Sequence, residues 1–179
     1  IRLSLVGSEM CIRDRNMKNV ETDRLRLLIP DRDCIELYEK FYTNGNASES
    51  YGGPLNVDQT WARLKADLGS WHLLGFGVWV LQSKETNELL GTCGFWQGRN
   101  WPTELTWWVL PEHRGQGYAF EASKTVIKHA RTWLGWSKVE TYMNDENNAA
   151  RGLVLKLGGE INRRITFPDG ICRDIYTLP

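Results

Sequence analysis

The stretch Trp107-Trp108-Val109-Leu110-Pro111-Glu112-His113-Arg114-Gly115-Gln116-Gly117-Tyr118-Ala119-Phe120-Glu121-Ala122 decides how the chain is read. Trp107 to Leu110 are aromatic or branched, the composition of a buried strand. Pro111 has no amide to give to a ladder, so the strand should stop there. Gly115 and Gly117 admit a turn with unusual dihedrals because no Cβ stands in the way. From Tyr118 onward Ala119, Phe120, Glu121, Ala122 and Lys124 favour helix. The reading is strand, glycine turn, long helix.

The first turn of such a helix carries amides with no intrahelical partner, and the helix dipole adds partial positive charge at the same end. A glycine turn feeding it can wrap a phosphate with its backbone, with Arg114 beside it. The stretch is therefore expected to hold a phosphate-bearing ligand. An ordinary strand-to-helix turn, in which the glycines only relieve sterics, is the other reading, and these residues alone leave both open.

Arg114-x-x-Gly117-x-Ala119 resembles the Arg/Gln-x-x-Gly-x-Gly/Ala signature of the GNAT superfamily of acetyl-CoA-dependent acyltransferases. The longer run Pro111 to Ala122 is similar to the RimJ/RimL-like branch, which acetylates amines. No Gly-Lys-Ser/Thr follows, so it is not a Walker loop, and the spacing is not that of a dinucleotide fingerprint. The resemblance runs from about Thr22 to the C-terminus. It implies acetyl-CoA as co-substrate and an amine as acceptor.

The bulk composition is consistent with an enzyme of this kind. A chain of 179 residues suits one domain with a real core. The formal net charge of +0 gives no argument for nucleic acid or an acidic membrane as partner. Nine tryptophans are many, and some are expected to line a cleft. Cys11, Cys34, Cys93 and Cys172 are scattered, and His72, His113 and His129 form no spaced pair, so neither a zinc site nor a disulfide framework is indicated. Reduced thiols and a cytoplasmic location are the default. No apolar run is long enough to cross a bilayer. The first 16 residues read as a non-native or disordered extension with Met17 as a plausible start, and 17–179 as a single acetyltransferase domain.

In chain order, Glu21 to Pro30 reads as a first strand, similar to the opening Glu-Thr-x-Arg-Leu strand of RimJ/RimL-like enzymes. Asp31 or Asp33 should cap a helix through Phe41. Asn44 to Asn56 reads as a loop that the resemblance places at the acceptor cleft. Asp58 should cap a helix from Gln59 to about Trp71, with Trp61 and Trp71 favoured as core. Strands over 77–82, 89–96 and 103–110 complete an antiparallel meander, with Gly91 and Gly94 marking a bulge or a close backbone approach. A helix from Tyr118 to about Leu134 leads into a strand over 136–143, expected to lie parallel to the strand before it because a helix connects them. A helix over Ala149–Leu157 and two strands joined at Pro168-Asp169-Gly170 close the chain. The fold expected is a mixed α+β sheet of about seven strands, mostly antiparallel, with helices on both faces. The GNAT resemblance adds that the fourth and fifth strands splay to admit the cofactor.

The resemblance also distributes roles. The backbone of Trp107, Trp108 and Val109 would pair with the pantetheine arm as a pseudo-strand. Gly115, Gln116, Gly117, Tyr118, Ala119 and Phe120 would give amides to the pyrophosphate, with Arg114 at its rim. Asn147 opens a run similar to the family's Asn-x-x-Ser-x-x-x-x-x-Lys-x-Gly pattern. Its Asn contacts the cofactor arm, although Asn is also a favoured N-cap and the two roles can coexist. The family's Ser falls on Ala150, and its usual proton-donating Tyr falls near Val154. Neither can donate, so the general acid is missing or comes from elsewhere, such as water or Tyr142. Glu104, at the head of the fourth strand, is the candidate base, by likeness to the Glu of the branch's Glu-Leu-x-Tyr-Trp strand. An exposed strand-start charge is its alternative. Glu140 is the weaker candidate, read as structural.

The leading reading is an N-acetyltransferase acting by direct transfer in a ternary complex, on a protein N-terminus or a small-molecule amine, as monomer or homodimer. A catalytically weak acetyl-CoA-binding sensor is the second, and a nucleotide-binding turn the third.

Overall fold

The computed structural model describes residues 19–179; the extension expected over 1–16, with Cys11, lies outside the described residues. The first strand is broken where it was expected to be continuous. Val20–Glu21 (β1) and Leu25–Leu28 (β2) pair antiparallel with each other, Val20 opposite Leu27. The Thr22 amide donates to the Leu25 carbonyl at 2.9 Å, which turns the chain between them. A single turn of 3₁₀ helix follows, capped by Asp31, whose carboxylate accepts from the Asp33 amide at 3.0 Å. It leads into α1, Ile35–Tyr42, which buries Leu37, Tyr38, Phe41 and Tyr42.

The segment expected as loop contains a short helix, α2 (Gly45–Ser48), and a 3₁₀ turn over Glu49–Tyr51. The next helix, α3, spans Val57–Leu74 and starts earlier than the sequence indicated. Its cap is Asn56 rather than Asp58: Asn56 Oδ1 accepts from the Gln59 amide at 2.9 Å and Gln59 Oε1 accepts from the Asn56 amide at 2.9 Å. This reciprocal capping box satisfies two orphan donors, which a lone Asp two residues later cannot do. The inward face of α3 is Thr60, Leu64, Asp67 and Trp71. Trp71 is core at 2% exposure, but Trp61, also expected in the core, is on the outward side at 38%.

Strands β3 (Val78–Ser83), β4 (Leu89–Trp96) and β5 (Glu104–Val109) extend the hairpin into a five-stranded antiparallel sheet in chain order. The ladder slips once, between Leu81 and Gln82, where Leu90 bulges out of the facing strand. Gly91 and Gly94 are both close-approach positions. A Cβ on Gly91 would run into the Trp108 carbonyl, and one on Gly94 into the Gly77 carbonyl. Helix α4 spans Tyr118–Thr132 and lays Ala122, Val126, Ile127 and Ala130 against the sheet. The remaining strands, β6 (Val139–Tyr142), β7 (Glu160–Thr166) and β8 (Cys172–Leu178), form a second sheet in the order β6-β8-β7. Helix α5, Asn148–Lys156, lies between β6 and β7 in the chain.

The α+β class holds, with eight strands among the described residues, in sheets of five and three rather than about seven in one. Among the described residues every ladder is antiparallel, and none joins β5 to β6. Across the gap, Thr141 Oγ1 donates to the Leu105 carbonyl at 2.8 Å. Two cores flank the five-stranded sheet. One includes Trp71, Trp79, Phe95, Trp107 and the inner face of α4. The other is aromatic: Phe41 stacks on Trp108 with centroids 4.0 Å apart, while Tyr38 and Tyr42 meet Trp108 edge-on. Each fully buried large side chain contributes roughly 2 kcal/mol through burial, so the strand that carries the site is held from both faces.

Candidate active site

Because β5 has no ladder on its second side, its edge borders an open cleft. The Leu110 amide donates to the Leu90 carbonyl at 2.8 Å, which fixes the register: even-numbered residues face β4 and odd-numbered ones face the cleft. The three outward carbonyls are all taken by side chains. Leu105 O accepts from Thr141 Oγ1, Trp107 O from the Tyr51 hydroxyl at 2.5 Å, and Val109 O from Arg114 Nε at 3.0 Å. The outward amides of Trp107 and Val109 have no ladder partner. The edge therefore offers donors.

Beyond Val109 the chain makes a 3₁₀ turn over Pro111–His113 and enters α4 through Gly115 and Gly117, at φ 76° and 83°. Only glycine adopts that region without strain, so the two residues are needed where they stand. The Glu121 amide donates to Gly117 O at 3.0 Å. Among the described residues, no hydrogen bond uses the amides from Gly115 to Phe120. These are the free donors the sequence pattern anticipated.

A cavity of about 510 Å³ lies against this turn. Of the residues expected at the cofactor, Trp107, Trp108, Val109 and Asn147 line it, as do Arg114, Gly115, Gly117, Tyr118, Ala119 and Phe120. Gln116 does not line it; it is exposed, and its carbonyl accepts from Arg24 Nη1 at 3.0 Å. Arg114 is exposed, and its Nη2 donates to Ala47 O at 3.1 Å, so its guanidinium ties α2 to the end of β5. Asn147 caps α5, accepting from the Ala150 amide at 3.1 Å, and still lines the cavity. Lys156 lies on the same wall, its Nζ 4.7 Å from the Phe120 ring centre.

A second cavity, about 420 Å³, adjoins the first; Tyr51, Trp107, Asn147 and Ala150 line both. Glu104 lies in the second, half-buried among Arg63, Tyr142 and Arg173. Burial pushes its carboxyl up to about 8, against the pull of Arg63, a hydrogen bond from Tyr142, and Arg173. Burial, the charge of Glu104 and the hydrogen bond to it hold Tyr142 well above the usual phenol range, so its hydroxyl keeps its proton. Trp96 and Trp101 form an aromatic wall, ring centres 5.8 Å apart, and Trp101 stacks on Tyr142 at 6.2 Å.

Tyr51 comes from the 44–56 segment that the resemblance places at the acceptor cleft, and Arg63 from the helix after it. Trp96 and Trp101 were not singled out as site residues, and only the high tryptophan count hinted at the wall. Ala150 lines both cavities without a donor, and Val154, at 0% exposure, is core. Cys93 is buried 3.6 Å from Ser123 Oγ, and burial raises its thiol to about 12, so it is no nucleophile near neutral pH. Glu140 is held by Arg163 at 2.6 Å and Lys138 at 2.9 Å, in ion pairs on β6. No group of three or more His, Cys, Asp or Glu among the described residues is arranged to hold a metal ion. No helix among them is long and apolar enough to cross a membrane.

The comparisons with known proteins agree with this geometry. The family model described as Acetyltransferase (GNAT) domain matches residues 24–160. The chain is 28% identical over 176 residues to the protein recorded as uncharacterized N-acetyltransferase YoaA of Bacillus subtilis (strain 168), covering 89% of this chain and 95% of that one. It is similar to the crystal structure of an acetyltransferase from Agrobacterium tumefaciens str. C58, at 26% identity and TM-score 0.82, over 90% of this chain and 94% of that one. The fold is also shared with the microcin C7 self-immunity acetyltransferase MccE, solved with acetyl-CoA and AMP, at TM-score 0.72 and 16% identity over 87% and 92% of the two chains. A family match spanning strand β5, the glycine turn and α4 agrees with the free amides found there, and the chain belongs to the GNAT acetyltransferases.

Proposed function

We propose that the protein transfers the acetyl group of acetyl-CoA to a primary amine by direct attack in a ternary complex, with Glu104 as base. The observation that carries this is the run of unpartnered amides from Gly115 to Phe120, opening on a cavity that is continuous with the one holding Glu104. The donor set fits the co-substrate. Backbone amides and the dipole of α4 suit a diphosphate. Lys156 adds a cation on the same wall. The outward amides of Trp107 and Val109 suit the carbonyls of the pantetheine arm, as do β5 and β6 if they run parallel and part beyond Thr141.

The amine reaches the site as ammonium. Glu104 takes a proton, directly or through water. The nitrogen lone pair forms a bond to the thioester carbonyl carbon, and the carbon–sulfur bond breaks. The second ammonium proton goes to solvent, and coenzyme A leaves as thiolate, protonated by water. A carboxyl near 8 is matched to an ammonium in that task. Tyr142, whose hydroxyl donates to the Pro102 carbonyl at 3.3 Å, lies beside Glu104 and keeps its own proton, which suits it to hydrogen bonding rather than to proton delivery. With Ala150 and Val154 where the family's donors fall, an acetyl-CoA-binding module with weak catalysis is the second reading.

The assignment to the RimJ/RimL-like branch and the single domain over 17–179 belong to the same proposal. Calorimetric titration with acetyl-CoA, together with thiol release over a panel of amines, tests it. Binding plus amine-dependent release supports the enzyme. Binding without release, unchanged by Glu104→Gln, leaves the module. No binding removes both.

A further inference from the structure

We propose that the acceptor amine also carries a carboxylate, as a free amino acid does, and that Arg63 receives that carboxylate. This rests on the acetyltransferase reading above and narrows its substrate class.

Two arginines border the cavity of Glu104, and they differ in what is left of their hydrogen-bonding capacity. Arg173 is engaged at all three of its nitrogens. Its Nε donates to Asn144 at 2.6 Å, and Nη1 and Nη2 donate to the two oxygens of Asp169 at 3.0 and 2.6 Å. Its side chain is 8% exposed, so little of it is open to a ligand. Arg63 is hydrogen-bonded at one corner, with its guanidinium 5.7 Å from the centre of the Tyr42 ring. Its Nε reaches Asp67 at 3.2 Å, one turn along α3, and Asp67 is anchored in turn by the Tyr38 hydroxyl at 2.9 Å. Among the described residues the two Nη groups donate to no hydrogen bond, and the side chain is 29% exposed where it lines the cavity. A guanidinium fixed through Nε presents its two Nη groups as a fork, the geometry that binds a carboxylate by two parallel hydrogen bonds.

The charge pattern calls for such a ligand. Glu104 and Arg63 face the same space, and each lies in the other's field. An ammonium set at Glu104 and a carboxylate set at Arg63 complete both. An amine without a carboxylate leaves the Arg63 fork unpaired in a site from which the ligand has displaced water, and an unpaired buried donor is costly. A protein N-terminus has the same defect, because its first peptide bond puts a neutral amide in that place. The cavity of about 420 Å³ suits a small molecule, and Trp96 and Trp101 offer a flat apolar wall to a side chain.

The test uses the full-length protein with saturating acetyl-CoA and three amines of one skeleton: phenylalanine, phenylalanine amide and phenethylamine. The tryptophan series runs alongside. In the wild type, kcat/KM for the free acid exceeds that of both partners by at least tenfold. In Arg63→Gln the KM of the acid rises at least tenfold more than that of the amide or the amine, while the lost pull of Arg63 on Glu104 shifts all three alike. If Arg63 acts only by tuning Glu104, the variant shifts the pH profile alike for all three, and the proposal falls. It falls equally if the wild type shows no preference for the acid, which needs no variant to fold. Turnover of amines without such preference overturns the carboxylate assignment alone. Absence of turnover with every amine removes the enzyme reading as well.

Discussion

Arg24 and Glu121 meet beside the glycine turn, with Nε 2.7 Å from Oε2 and the Arg24 amide donating to Oε1 at 2.9 Å. Thr22 Oγ1 donates to the same carboxylate oxygen at 2.5 Å. Arg24 then reaches the Gln116 carbonyl through Nη1 and lies 4.6 Å from the centre of the Tyr118 ring. The Glu-Thr-x-Arg-Leu opening of the chain thus acts at a distance, as a clamp on the first turn of α4 and on the loop that feeds it.

If the clamp shapes the turn, Glu121→Ala loosens the amides that receive the diphosphate. The expected result is a KM for acetyl-CoA raised roughly tenfold, about 1.4 kcal/mol of binding, with kcat within a factor of about two. Steady-state kinetics at saturating amine check it. The melting temperature should fall only by a few degrees, because half-exposed ion pairs stabilise weakly.

Glu104 predicts a pH dependence of two kinds. As base it must be ionised, so kcat/KM should climb tenfold per pH unit below about 8 and level off above it. Glu104→Gln should lose roughly a hundredfold or more in kcat and flatten that rise. Stability runs the other way. The folded carboxyl titrates near 8, above its ordinary 4.5, so the folded state holds the proton more tightly than the unfolded one. Stability from this group is full below the ordinary value and is lost as pH rises toward 8. The variant should therefore gain several degrees in melting temperature over wild type at pH 8.5 and little at pH 4.

Glu140 predicts the opposite slope. Its hydrogen bonds with Arg163, at 2.6 and 3.0 Å, lead in lowering it to about 2, with Lys138 adding to them. A depressed carboxyl contributes stability above its ordinary 4.5 and loses it as pH falls through about 2. Glu140→Gln should lower the melting temperature by a few degrees at pH 7, with the gap to wild type closing in acid. Activity should be little changed, because the group is occupied in ion pairs on β6.

Gly91→Ala should not fold to a stable protein. The added carbon meets the Trp108 carbonyl, a backbone atom held in the ladder, so neither partner can move aside cheaply. Loss of soluble expression, or a melting temperature lower by ten degrees or more, is the expected outcome, measured by thermal scanning.

The fold was legible where local chemistry spoke with one voice. Pro111, the two glycines and the helix formers after them gave the strand, turn and helix around the site, because each carries its own dihedral restriction. The misreadings have equally local causes. Glu21 to Pro30 alternates like one strand, but the Thr22 side chain spends its hydroxyl on Glu121, 99 residues away, and the strand breaks there. Asp58 is as good a cap as Asn56 by type; the choice fell to Gln59, whose side chain can answer only Asn56. Trp61 is large and apolar, yet it sits on the outward side of α3, where tertiary placement overrides composition. At the site, most of the lining of the cavity at the glycine turn was legible because Trp107 to Phe120 is one contiguous stretch. The acceptor wall, assembled from Tyr51, Arg63, Trp96 and Trp101 on separate segments, has no local period to betray it.

The side chains that cap Leu105, Trp107 and Val109 decide what kind of guest the open edge of β5 will tolerate. A polypeptide adding itself as a sixth strand must find donors and acceptors by turns. Here every acceptor is already spoken for by a hydroxyl or a guanidinium from the same molecule. The protein can thus leave a strand bare at its centre without inviting self-association, while a slender chain bringing carbonyls of its own is still welcome.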